Sequence, residues 1–256
     1  MIFSACHFDE RPHKGEYYSE FDEPTIDELR LMAALILPIG WAGGVLTIYP
    51  LRPSLSLSEQ VDLTRPGTVG RLSNILRSKL SFSKDLPWTD GPHPPAFGGH
   101  PYAYRDESSP RELQHRIYDA IDVSDHVLMR GLSALIKGAM LTRHFVFSEQ
   151  AHYSLYVALD ASFQLILGKL RDGGIAQPNS ADAAALMEDA FGEDRSDRRY
   201  FEDYYSDRIM TMHPQSRLGV FPYAPITHSD FYGLYYGLRE VFRWLILDEH
   251  ISLTES

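Results

Sequence analysis

The chain has 256 residues, enough to bury a core without help from a disulfide, a metal or a partner. Its 44 % hydrophobic and 23 % charged residues are those of an ordinary folded protein, which excludes wholesale disorder, collagen and a disulfide-stapled miniprotein. Cys6 is the single cysteine, so this chain alone builds no intramolecular disulfide and no thiolate-rich metal site, and a net charge of −11 argues against coating nucleic acid through counterion release. Any RNA partner must be met at a local site. The amino terminus lacks a charged region followed by a short apolar stretch and a small-residue cleavage site, so a cytoplasmic location is expected.

The first twenty-three residues are acidic and aromatic without a period. Thr25-Ile-Asp-Glu28 then spells a capping box ahead of the apolar run Leu29–Leu37, which predicts a helix. No charge interrupts residues 31–51, a length that reaches across a bilayer. Pro38, Gly40, Gly43, Gly44 and Pro50 break the run, and Arg30 and Arg52 flank it on both sides without an orientation signal. The reading is a buried helix ending near Leu37 and a short strand Val45–Tyr49, with membrane attachment the weaker alternative. Val69, Leu72, Ile75, Leu76 and Leu80 predict a second amphipathic helix over Gly67–Leu80. Residues 85–105 hold five prolines and three glycines, too many breakers for a regular element. This stretch is taken as the boundary between an N-terminal extension of unassigned role, residues 1–105, and a helical domain, residues 106–256.

Six helices are expected after the boundary: Arg111–Asp122, Ser124–Leu141, Ser148–Leu170, Ser180–Phe191, Arg199–Met212 and Ser229–Glu249, the last capped by Ser229. Ser148–Leu170 is apolar nearly all round and belongs at the centre of a bundle, with Asp172-Gly-Gly ending it in residues that tolerate a left-handed cap. The fold class is all-α, an antiparallel bundle with an N-terminal extension of helices and irregular or short β segments.

A bundle decides no function, so the chemistry must be sought in side chains. No two histidines stand at i, i+4 or as H-x-H, and His93 and His100 in the Pro/Gly stretch are read as solvated, so no metal is assigned. No G-x-S-x-G, P-loop or dinucleotide spelling appears, and no cofactor is assigned. Residues 200–214 are more informative. Phe201, Tyr204, Tyr205 and Met212 fall on the helix face from which Arg208 projects, and an arginine there needs a partner. Asp160, inside the apolar helix 148–170, is the candidate, because an unpaired carboxylate there would cost several kcal/mol. His213 would lie about 140° round the axis from Arg208 in a continuing helix. Pro214 pushes His213 out of the α region, which lets it turn back beside the arginine.

Arg208-x4-His213 at a helix end, after a long apolar helix reading Tyr156-Val-Ala-Leu-Asp160, resembles the HEPN family over about residues 124–250. The resemblance implies that 124–141 and 148–170 are the family's long antiparallel pair, 199–212 the motif helix and 229–249 the closing helix. It also implies a metal-independent endoribonuclease whose motif residues meet at a homodimer interface, in a toxin–antitoxin or defence setting. Arg208 and His213 match the motif, and Asp160 matches the acidic position of the central helix. Other members are silent modules that bind a partner protein or a nucleotide, and that is the alternative function here. In the proposed reaction His213 exchanges a proton with the ribose 2′-OH or the leaving 5′-oxygen, Arg208 stabilises the phosphate charge and Asp160 orients Arg208.

A second spelling, Arg243-x6-His250, lies on the last turns of the final helix, where the helix dipole favours basic residues without any function. Tyr200, Tyr204, Tyr205, Tyr232, Tyr235 and Tyr236 suit base stacking or, more often, core and interface packing. The aromatic surplus over Tyr232–Tyr236 exceeds what one helix face buries, which adds to the expectation of a homodimer. Arg195, Arg198 and Arg199 belong to a mixed-sign loop, read as solvated before it is read as a phosphate contact.

Overall fold

A computed structural model describes residues 26–39, 62, 64–72, 74–75, 111–142, 147–191, 200–212 and 227–249. Every regular element among them is helical, and the expected strand Val45–Tyr49 lies outside the described residues. The chain divides into two compact units, residues 1–23 with 49–101 and residues 24–48 with 102–256. In the first unit, residues 68–72 and 74–75 are helical where a helix was expected. Val69 and Ile75, taken from its apolar stripe, are exposed.

The second unit carries α1 (Ile26–Ile36), α2 (Arg111–Ala120), α3 (His126–Leu141), α4 (Ser148–Asp172), α5 (Ser180–Phe191), α6 (Tyr200–Met212) and α7 (His228–Leu247). The expected boundary at residue 105 left α1 in the extension, yet its side chains lie in the same core as the later helices. Leu29, Met32, Ala33, Ile36 and Leu37 are all buried, as a helix of eleven residues draws its stability from packing its apolar stripe against other elements. Arg30 fastens the outer side: its Nε donates to Tyr118 O at 2.7 Å and its guanidinium lies 4.1 Å from the Tyr118 ring centre. Leu37 O accepts from Arg243 Nη1 of α7 at 3.1 Å. Residues 31–37 are thus part of the bundle, and no helix among the described residues is long and apolar enough to cross a membrane.

Local chemistry sets the helix ends. Asp125 starts α3 by accepting from the backbone N–H groups of Val127 and Leu128, both at 2.9 Å. Asn179 caps α5 through Ala181 N–H at 2.8 Å, and Asp182 accepts in return from Asn179 N–H at 2.9 Å. The start of α7 is a correction: Thr227 and Asp230 form the capping box, two residues before the expected cap Ser229, which is already inside the helix. Both hydroxyl residues suit an N-cap, but only Thr227 has an acidic residue at the third helical position. α4 stops at Asp172. Gly174 takes φ 98°, and the N–H of Ile175 returns to Leu170 O at 3.0 Å, a closure that needs a residue without a Cβ.

α4 is central. It packs along its length against α3 and also meets α5, α6 and α7. Leu155, Leu159 and Ile166 are fully buried, and α1, α2 and α3 close the far side against α7. Ion pairs Arg116–Glu249 and Lys169–Asp248 join the end of α7 to α2 and α4 at the surface.

Candidate functional site

The site lies where α6 crosses α4. Among the described side chains of α6, Phe201 and Thr211 are buried. Phe201 meets Phe163 with ring centres 4.9 Å apart, and Thr211 Oγ1 lies 3.3 Å from the Tyr156 hydroxyl. These two contacts, ten residues apart, hold α6 along α4 and set its phase. Tyr205 and Arg208 then fall at the margin of the contact, over Asp160.

Arg208 Nη2 lies 3.1 Å from Asp160 Oδ2, so the expected pairing is present. Tyr205 adds a third member. Its hydroxyl donates to Asp160 Oδ1 at 2.7 Å, and its ring centre lies 5.4 Å from the Arg208 guanidinium carbon. The ring is itself packed edge-on against Phe163 at 5.9 Å. One carboxylate oxygen thus takes the guanidinium and the other the phenol, so the rotamers of all three residues are coupled. Tyr205 was read as stacking or core surface, and its role as the second donor to Asp160 follows only from the phase of α6. The sequence signal was its place three residues before Arg208, on the same helix face.

The expected burial of this pair is corrected. The Arg208 and Asp160 side chains are 33 % and 39 % exposed, because α6 lies against α4 and α5 and leaves Ser206 and Ile209 in solvent. The penalty of several kcal/mol for a charge stranded in a dry core does not apply to such a pair. An ion pair this open contributes at most about 1 kcal/mol, and the Tyr205 hydrogen bond about as much again. Asp160→Ala is therefore expected to lower unfolding stability by about 1–2 kcal/mol, read as a shift of the urea midpoint at unchanged slope. A loss of 4 kcal/mol or more would show that water does not reach the pair.

Burial, the hydrogen bond to Asp160 and the nearby carboxylate charge all push the Tyr205 phenol well above its ordinary 10.0, with Arg208 opposing. The folded state then holds a proton that the unfolded chain releases near pH 10, so the contribution is complete below pH 10 and falls as pH rises beyond it. Wild type is expected to lose thermal stability above about pH 10 more steeply than Tyr205→Phe. Parallel alkaline limbs in the two proteins would place the cause elsewhere.

His213 and the loop arginines Arg195, Arg198 and Arg199 lie outside the described residues, as do His93 and His100. Arg243, from the second motif spelling, is buried and bonded to Leu37 O, a structural role; its partner His250 also lies outside the described residues. The tyrosines of α7 turn inward: Tyr235 and Tyr236 are buried within the chain and Tyr232 is half-buried. The aromatic surplus used to argue for a homodimer therefore finds its cover inside one chain. Among the described residues no three His, Cys, Asp or Glu side chains converge as metal ligands. Sequence reasoning missed Arg239, which is buried in α7; its signal was a position one turn after Tyr235 and three residues before Phe242, at the edge of the apolar stripe. Comparison with protein-family models, curated proteins and solved structures finds no match for this chain.

Proposed function

We propose that the chain is a metal-independent endoribonuclease of the HEPN type, with Arg208, His213 and Asp160 as its site and two copies contributing to it. The observation that carries the reading is the Arg208 guanidinium itself. It is oriented by Asp160 through Nη2 and lies over the Tyr205 ring, while a third of its side chain faces solvent. A guanidinium has five N–H donors, so the edge not used by Asp160 can meet a phosphodiester. Orientation before the substrate arrives is what makes such a donor effective on charge that develops during reaction.

The 2′-oxygen attacks the adjacent phosphorus, the bond to the 5′-oxygen breaks, and a 2′,3′-cyclic phosphate and a 5′-hydroxyl result. His213 takes the proton from the 2′-OH or supplies one to the 5′-oxygen, Arg208 carries the phosphoryl charge, and Asp160 and Tyr205 position Arg208. A toxin–antitoxin or defence role in the cytoplasm accords with this chemistry. The test is incubation of mixed RNA in EDTA, with end-group analysis for 2′,3′-cyclic phosphate and sedimentation of the same sample. Cleavage by a two-chain species supports the reading. An inactive or monomeric protein at high micromolar concentration overturns the composite site.

The second reading is a silent helical module that binds a partner protein or a nucleotide. Its support is that Asp160 already neutralises Arg208 and that the chain carries −11, which offers polyanionic RNA no general attraction. A folded dimer without cleavage would favour it.

A further inference from the structure

α7 places three charged or hydroxylated side chains at successive turns: Tyr235, Arg239 and Arg243. Arg243 is buried and donates to a backbone carbonyl of α1. Arg239 is different. Its side chain is 2 % exposed, and Nε, Nη1 and Nη2 have no hydrogen-bond partner among the described residues. The rings of Tyr235 and Tyr236 lie with their centres 5.6 and 5.3 Å from its guanidinium carbon. Tyr235 is fully buried, and its hydroxyl also has no partner among the described residues. Two adjacent buried groups, both hydrogen-bond donors, are thus unsatisfied at one place in the bundle.

A guanidinium keeps its proton under any condition in which the protein is folded, even though burial pulls its pKa below the ordinary 12.5. Removing it from water without a partner is strongly unfavourable, as is breaking a buried pair by removing one partner. The tyrosine faces offset only part of that cost. Water would satisfy the N–H groups, and Glu240, the next residue of α7, acts on the charge only through space, with no hydrogen bond to the guanidinium. An oxyanion meets both the donors and the charge. Its two oxygens match the guanidinium fork in plane, with bonds roughly twice as strong as neutral ones, and a third oxygen can accept from a phenol.

We propose that Arg239 and Tyr235 form a binding site for a small oxyanion, a phosphate or carboxylate group enclosed by the helical bundle. The site shares no residue with the Arg208 cluster and stands whether or not the chain cleaves RNA. Arg239 supplies the charge and the planar fork, the Tyr235 hydroxyl supplies a further donor, and the Tyr236 ring walls the guanidinium.

The test is thermal unfolding of the full chain in inorganic phosphate, succinate or adenosine monophosphate, each against chloride at equal ionic strength, with a native mass spectrum of the purified protein. A saturable rise in Tm is expected, roughly 5–10 °C at one hundred times Kd. A response to phosphate alone identifies a free ion, one to succinate a carboxylate, and one confined to the nucleotide a larger ligand held by its phosphate. Arg239→Met is expected to melt in chloride no lower than wild type and to lose the response, because an apolar stem of similar length needs no counter-charge. Tyr235→Phe keeps the ring and the fold and is expected to weaken the response several-fold, which preserves the test should Arg239→Met fail to fold. No shift with any of the three anions, together with the mass of the bare chain, overturns the proposal. So does an equal shift in wild type and Tyr235→Phe.

Discussion

Replacing His213 by alanine is expected to lower RNA cleavage in EDTA by roughly 10²- to 10⁴-fold while leaving the melting temperature within about a degree of wild type. The magnitude follows from the task assigned to the imidazole. It is the one group of the proposed site whose ordinary pKa, about 6.5, suits proton exchange at physiological pH. Its removal leaves Arg208, Asp160 and Tyr205 in place, so substrate charge is still met and the loss should fall on the rate rather than on binding. Arg208→Ala should lower the rate by roughly 10²- to 10³-fold for a different reason, the loss of a pre-oriented donor to the phosphoryl oxygens. Arg208→Lys should recover little, since an ammonium cannot hold Asp160 and a phosphate edge in one plane. The pH profile separates the two roles. Wild type should lose activity as a group near neutrality titrates, and His213→Ala should lose that limb. Equal cleavage by wild type and His213→Ala removes His213 from the mechanism.

The second large effect is expected at a position with no chemistry. Gly131→Val in α3 should destabilise the fold by about 3 kcal/mol, or roughly 6–12 °C in Tm for a domain of this size. A Cβ there would lie 2.5 and 2.8 Å from Cζ and Cε1 of Phe242 in α7 and 2.9 Å from the Cβ of Ala161 in α4. Neither neighbour gives way easily. Phe242 is fully buried, and the Cβ of Ala161 moves only with the backbone of the central helix. Gly131 therefore sets how closely α3 approaches both α4 and α7. Gly138, one heptad on, is less demanding, because its closest neighbour is the end of the flexible Leu155 side chain at 2.8 Å. Gly168 in α4 serves as control: nothing lies within 4 Å of its ideal Cβ, so Gly168→Ala should stabilise by about 1 kcal/mol through helix propensity. The mechanism is checked by coupling. Adding Phe242→Leu to Gly131→Val should cost less than the sum of the two single changes, since the smaller side chain vacates the contested space. Strict additivity would show that the strain lies elsewhere.

What the sequence alone determined was the local order. The sequence pattern placed α5 at Ser180–Phe191, and the Asp172-Gly-Gly break ended α4. The apolar surround of Asp160 and the aromatic stripe beside Arg208 called for a pair of opposite charges, and the two meet at 3.1 Å. Side-chain period reports the phase of a face around its own helix, so these statements needed no neighbour. Tertiary structure decided everything that depends on which surface covers a given face. The stripe of α1 was visible, but only packing assigned it to the bundle, where Arg30 and Leu37 are held by α2 and α7. Tyr235 and Tyr236 looked like surplus surface until the bundle closed over them. The same margin of a helical stripe holds Arg208 in partial contact with water and Arg239 out of it, because α6 lies at the edge of the bundle whereas α7 is enclosed by α2, α3 and α4. A charged residue beside an apolar stripe has one spelling in both places, and the depth of its helix decides how much water reaches it.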